Sequence, residues 1–274
     1  MTGARGALAG ALAVIAIVMS ACSSSGTAAP STTSTTIAPK PPVLVGTFTG
    51  PTTGRALDAA QPLRVTLFGD SLVFDALPAI RADLESTGVV TVTEWTVSGF
   101  GIGPGPGYLP ASFDWQDVIV RGVAETRPEV IVTSFGLVDA LNIGLGRMTI
   151  DEFTASLRTA LDLLSVGDTK VLILGVPPTV ADAGKTTQRL LERTVNPVLR
   201  AATADHPGEV EYLDVDHVLS DSDRPVYEFA GRRVRKQDLT HLCPDGAALL
   251  AVEVHTTLAR SWPIPSAAPG WSLG

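Results

Sequence analysis

Apolar residues along the chain recur with two periods. Five short runs, residues 64–68, 89–97, 130–135, 170–174 and 210–213, are rich in β-branched and aromatic side chains and have the length of strands. Longer stretches, residues 76–86, 114–126, 149–165, 185–205 and 244–260, carry apolar residues at helical spacing. Start signals sharpen three of these helices. Asp114 is a candidate N-cap, Thr149 with Glu152 three residues later reads as a capping box, and Pro244 suits a first turn. Pro197 is expected to bend or split the fourth. Residues 99–110 are dense in Gly and Pro and read as a loop, and residues 219–238 as an irregular segment or small hairpin. Alternation of strand and helix predicts an α/β domain, a parallel five-stranded sheet with helices on both faces. Ligands in such a sheet bind beyond the carboxyl ends of the strands. The polar and glycine-rich segments after the first three strands fall at that edge.

The N-terminal region departs from this pattern. Residues 1–6 carry one positive charge, Arg5, and residues 7–19 are almost wholly apolar. A run of about 13 residues is too short to span a bilayer stably and fits an export signal. Met19-Ser20-Ala21-Cys22 resembles a bacterial lipobox, with Met19 where leucine is usual. Residues 1–22 are therefore expected to be a lipoprotein signal peptide, with Cys22 lipidated on the outer face of the bacterial cytoplasmic membrane. An ordinary secretory signal cut near Ala21 is the alternative. Residues 23–42 are rich in Ser, Thr, Ala and Pro and hold too little apolar area to offset chain entropy. Residues 23–60 are read as a disordered tether, 61–265 as the folded domain and 266–274 as a C-terminal tail.

Composition narrows the class. A net charge of −8 argues against a general nucleic-acid binder. With 45% hydrophobic residues, a body of about 200 residues can bury one core. Two cysteines are present. With Cys22 taken by lipid, Cys243 is left without a partner, so the mature domain is expected to lack an internal disulfide. Cysteine and histidine spacing offers no metal site, and no cofactor is expected.

Three segments carry candidate chemistry. In Phe68-Gly69-Asp70-Ser71-Leu72, a serine sits where a strand turns into a helix. Its hydroxyl would project from the sheet edge and its N–H would lie at a helix N-terminus, where an oxyanion is stabilised. A plain helix cap is the alternative, because Asp and Ser are favoured there. In Asp238-Leu239-Thr240-His241, a carboxylate three residues before a histidine can fix its tautomer, as a base that activates a serine requires. A surface Asp and His near a helix start is the competing reading. In Gly99-Phe100-Gly101-Ile102-Gly103, glycines let backbone N–H groups approach a substrate oxygen, or merely form a flexible turn. The run Arg232-Arg233-Val234-Arg235-Lys236 can draw an anionic substrate or be a solvated hairpin. Phe74, Trp95, Phe100, Tyr108, Phe113 and Trp115 flank the expected site and can line a pocket or fill the core. Asp75, one turn past Ser71, reads as a helix-face charge.

Together these segments resemble the SGNH hydrolase family, also called GDSL hydrolases, over residues 63–260. The resemblance implies a three-layer α/β/α sandwich with a flavodoxin-like parallel sheet. It implies Ser71 as nucleophile and first oxyanion donor, His241 as general base and acid, and Asp238 as its orienter. Gly99 is implied as second oxyanion donor, with Gly101 as rival. The family's Gly-x-Asn-Asp motif stands here as Gly136-Leu137-Val138-Asp139, so Val138 occupies the place of an oxyanion-hole asparagine. Valine donates no hydrogen bond, and Asn142 or a second backbone N–H is a candidate replacement. The implied activity is a serine esterase acting on acetyl or other acyl esters of a cell-envelope glycan or lipid, by hydrolysis or by transfer to a glycan hydroxyl. The alternative is a non-catalytic envelope-binding lipoprotein on the same fold.

Overall fold

The computed structural model describes residues 43–103, 109, 113–179, 191–221, 224–229 and 231–273. Cys22, the signal segment, Tyr108 and most of the expected tether lie outside the described residues. No helix among the described residues is long and apolar enough to cross a membrane.

All five expected strands form, as β2 (Leu63–Gly69), β3 (Val90–Thr96), β4 (Val130–Ser134), β5 (Lys170–Leu174) and β6 (Val210–Leu213). They are mutually parallel. A sixth strand, β1 (Leu44–Val45), pairs antiparallel with β6, giving the order β1-β6-β5-β4-β2-β3. The expected five-stranded parallel sheet is therefore corrected to a mixed six-stranded one. A two-residue strand is too short to show a period.

The sheet divides the core in two. In β5, Leu172 and Leu174 face one side and Val171 and Ile173 the other, all buried. The period of two explains why this central strand reads as continuously apolar. On the first face, α1 (Ser71–Glu85) packs with a long C-terminal helix, Pro244–Leu258, through Leu77, Ile80, Leu250 and Val254. On the second, α2 (Trp115–Thr126) packs with Ile150–Leu164 through Val118, Ile119, Leu157 and Leu161. Their starts follow the sequence signals. Asp114 accepts hydrogen bonds from Gln116 N and Asp117 N, and Thr149 and Glu152 form the capping box.

One helix was not expected. Gly136, with φ of 111°, opens α3 (Leu137–Gly144) directly after β4, and Ile150–Leu164 is then α4. It is only 8 residues long and its polar Asp139 and Asn142 are both buried, so no exposed polar face marked it. Residues 191–204 wind through a π turn, α5 (Asn196–Ala201) and a 3-10 turn, with Pro197 in the first turn of α5. A short helix, α6 (Asp216–Leu219), precedes two small hairpins, and the C-terminal helix is α7.

Both expected ends of the domain move outward. Phe48 is 4% exposed and stacks on Trp262, and Arg55 forms a two-pronged pair with Glu129 at 2.7 Å and 2.7 Å. Residues 43–60 thus belong to the folded body and not to the tether. At the other end, Ala268 N donates to Ser86 Oγ and Trp271 packs on the first core. Residues 266–273 are therefore held against the body. In both segments a few aromatic anchors do this, inside stretches that read as loop by composition.

Candidate active site

Ser71 is the first residue of α1, immediately past the carboxyl end of β2. Asp70 is the N-cap and accepts a hydrogen bond from Leu72 N at 2.9 Å. The helix-cap role therefore falls to Asp70, and the Ser71 hydroxyl is left for other contacts. Gly69 has φ of 152°, and a Cβ there would lie 2.7 Å from Val73 Cγ2 and 3.1 Å from Ser134 O. The turn from strand into helix thus needs glycine.

The Ser71 Oγ lies 3.0 Å from His241 Nε2. On the other side of the ring, His241 Nδ1 lies 2.7 Å from Asp238 Oδ2. In this tautomer the Ser71 hydroxyl donates to Nε2 and the Nδ1–H donates to the carboxylate. Asp238 Oδ1 also accepts from Thr240 N and His241 N, each at 2.9 Å. Partial burial pushes the Asp238 carboxyl up, but the bonds from His241 and from those two N–H groups outweigh it and hold it below its ordinary value. An ionised carboxylate is what an imidazolium needs beside it. Ser71 and the Asp238–His241 pair, with Ser71 and His241 170 residues apart along the sequence, thus form one hydrogen-bonded chain at the carboxyl edge of the sheet.

The glycine loop after β3 lies beside α3. Gly99 has φ of 78°. The buried Asp139 carboxyl accepts from Ile102 N at 3.1 Å and Gly103 N at 2.9 Å through Oδ1. Burial raises Asp139 to about 7, against the lowering effect of the bonds from Gly103 and Ile102. Its other oxygen, Oδ2, is buried and meets no partner among the described residues. Burial likewise raises Asp70 to about 6, against its helix N–H bonds. Val138 is buried, and a Cβ on Gly101 would lie 3.1 Å from Val138 Cγ1. The valine methyl therefore sits against the backbone of a candidate oxyanion donor. Among the described residues, the N–H groups of Ser71, Gly99 and Gly101 meet no acceptor. Asn142, the other candidate donor, is buried one turn beyond Val138 on α3.

Several sequence readings change here. Arg235 is fully buried and donates to the carbonyls of Leu219, Leu239 and Thr240, with Thr240 O at 2.9 Å. Burial lowers its pKa to about 10, opposed by the nearby Asp216 and Asp238. Lys236 pairs with Asp75 at 3.0 Å, and the Arg233 guanidinium sits over the Tyr227 ring. Of this basic run Arg235 is thus buried and Lys236 is paired, while Arg232 stays exposed. Asp75 is more than a helix-face charge, since it also accepts from Leu242 N at 3.0 Å. Its one available signal was its spacing, four residues past Ser71 on the same helix face. Of the flanking aromatics, Phe100 is buried against Phe68, Phe113 and Phe135, whereas Phe74 is 55% exposed. Cys243 is buried at the start of α7, and Cys22, the other cysteine of the sequence, lies outside the described residues. Among the described residues no three His, Cys, Asp or Glu side chains converge as a metal site requires.

A family model described as "Protein of unknown function (DUF459)" matches residues 64–257. No curated protein matches the sequence. Solved structures share the fold at low identity. A structure from Bacteroides fragilis described as a "putative acylhydrolase" is 15% identical over 73% of this chain and 90% of its own, with a TM-score of 0.55. A carbohydrate acetylesterase from Sinorhizobium meliloti is 14% identical over 72% and 98%, with a TM-score of 0.52. An aryl esterase from M. smegmatis is 16% identical over 73% and 99%, with a TM-score of 0.51. By its sequence this chain belongs to the DUF459 family, and by its sheet and helix layers it has the fold of the SGNH/GDSL hydrolases.

Proposed function

We propose that the protein is a serine esterase that works through an acyl-enzyme on Ser71. The observation that carries this reading is the chain of hydrogen bonds from Ser71 Oγ through His241 to Asp238. In this mechanism His241 Nε2 takes the Ser71 proton as Oγ attacks the ester carbonyl carbon. The tetrahedral oxyanion is met by the N–H groups of Ser71 and of Gly99 or Gly101, at a helix N-terminus of favourable dipole. Collapse expels the alcohol, which takes the proton from His241, and leaves the acyl group on Ser71. A water, or a glycan hydroxyl in the transfer version, then attacks the acyl-enzyme with His241 again as base.

The substrate we propose is an acetyl or other short acyl ester of the cell envelope. The fold relatives include acetyl esterases. The test is labelling of the folded body with a fluorophosphonate and hydrolysis of a short-chain chromogenic ester, each compared with Ser71→Ala. Both signals are expected to vanish in the variant. Equal signals in the two proteins would reject the reading in favour of a non-catalytic binding protein, which Val138 also favours.

Anchorage through a lipidated Cys22 remains part of the proposal. A diacylglyceryl thioether on Cys22 is the expected form of the mature N-terminus, and an unacylated one overturns the anchor. The mass of the mature N-terminal peptide tests this.

A further inference from the structure

We propose that Asp75 is a positioning residue that fastens the His241 loop to the helix carrying Ser71. This rests on the esterase reading above. Asp75 lies one turn after Ser71 on α1, so the two side chains share a helix face. Its carboxylate is 10% exposed and divided between two partners. Oδ1 takes Lys236 Nζ and Oδ2 takes Leu242 N, both at 3.0 Å.

These partners bracket the loop that holds Asp238 and His241. Lys236 N also donates to His241 O at 2.8 Å, and Arg235 and Leu242 form an antiparallel bridge. The bracket is therefore closed at its base, and Asp75 grips both sides of it. Inside, Arg235 holds the Thr240 and Leu239 carbonyls from below. Leu239 has φ of 54°, a left-handed conformation that a branched side chain disfavours, and such a turn persists only where its surroundings enforce it.

The consequence concerns the gap between nucleophile and base. The 3.0 Å separation of Ser71 Oγ and His241 Nε2 joins parts of the chain 170 residues apart. Asp75 makes that separation a property of one rigid unit, because the same helix carries Ser71 and holds the loop. Without it, His241 would still bond Asp238, but the pair would be free to drift from Ser71.

The test compares Asp75→Ala, Asp75→Asn and Lys236→Met with the parent. Asp75→Ala removes both anchors, and a displacement of about 1 Å can cost about 100-fold in rate. A fall in kcat of about that size is expected, with KM within about twofold. Asp75→Asn keeps an acceptor for Leu242 N and should retain most of the lost rate. Combining Asp75→Asn with Lys236→Met should cost no more than either alone, because both break one ion pair. The far-downfield NMR proton of the His241–Asp238 bond, assigned by its loss in His241→Ala, gives a readout without turnover. It should be sharp in the parent and broadened in Asp75→Ala. An unchanged kcat, or a sharp proton in folded Asp75→Ala, overturns the proposal. If Asp75→Ala does not fold, the non-additivity of the other two variants decides. A parent that neither labels nor hydrolyses ester removes the esterase reading, while the proton signal still tests Asp75.

Discussion

At the scale of single residues, Val138 and Asp139 divide a task. Val138 lines the glycine loop but offers no donor, and Asp139 holds that loop through two backbone bonds. Replacing Val138 by Asn puts a donor beside Gly101. Since one oxyanion donor is worth roughly 100- to 1000-fold, Val138→Asn is expected to raise kcat by at least about tenfold. Steady-state kinetics on a short-chain ester would check this, and an unchanged kcat means a backbone N–H already fills the role. Asp139 also sets a pH dependence. Asp139 is raised to about 7 and Asp70 to about 6, while an unfolded Asp titrates near ~3.9. The folded state therefore keeps protons that the unfolded chain has released. The stability these groups contribute is full below about pH 4 and is lost as pH rises through about 6 to 7. Asp139→Asn cannot ionise and keeps an acceptor for the loop. Melting curves between pH 4 and 8 should show a shallower decline in that variant, and a slope equal to the parent's would contradict the assignment.

At the scale of elements, α1 has two jobs. Its N-terminal turn presents Ser71 and Asp75 to the site, and its far end is tied to α7. There Asp83, 2% exposed, meets His255 Nδ1 at 2.6 Å. Burial pushes the Asp83 carboxyl up despite the opposing pull of His255. Removing one partner of a buried pair strands the other charge, at a cost of about 3 kcal/mol or more. His255→Ala should therefore lower Tm by several degrees in calorimetry, yet leave the fluorophosphonate labelling rate of the folded protein within about twofold. A large loss of labelling would mean that the far end of α1 governs the site as well. This pair was not legible in the sequence. Asp83 and His255 stand 172 residues apart, and each alone reads as an ordinary helix polar residue.

At the scale of the molecule, the body is larger than its strongest periodic segments. A chain beginning at residue 61 loses β1, the Phe48–Trp262 contact and the Arg55 partner of the buried Glu129. Burial pushes Glu129 up, but its bonds to Arg55 and Arg64 hold it below its ordinary value. Deleting a buried Phe alone costs about 3 kcal/mol or more, so Tm should fall by about 6 °C or more relative to a chain beginning at residue 43. Equal melting points would restore the longer tether. The sequence by itself determined the alternating strands and helices, the caps at Asp114 and Thr149, and the residue types of Ser71, Asp238 and His241. These follow from local periods and from chemistry that few residue types perform. Only the tertiary structure decided which charges work at the site. Asp75, Arg235 and Lys236 acquire their roles from partners on other elements, and β1 and α3 from surfaces they cover. Short-range pattern carries no trace of such contacts, because burial and pairing across 100 or more residues are properties of the packed chain.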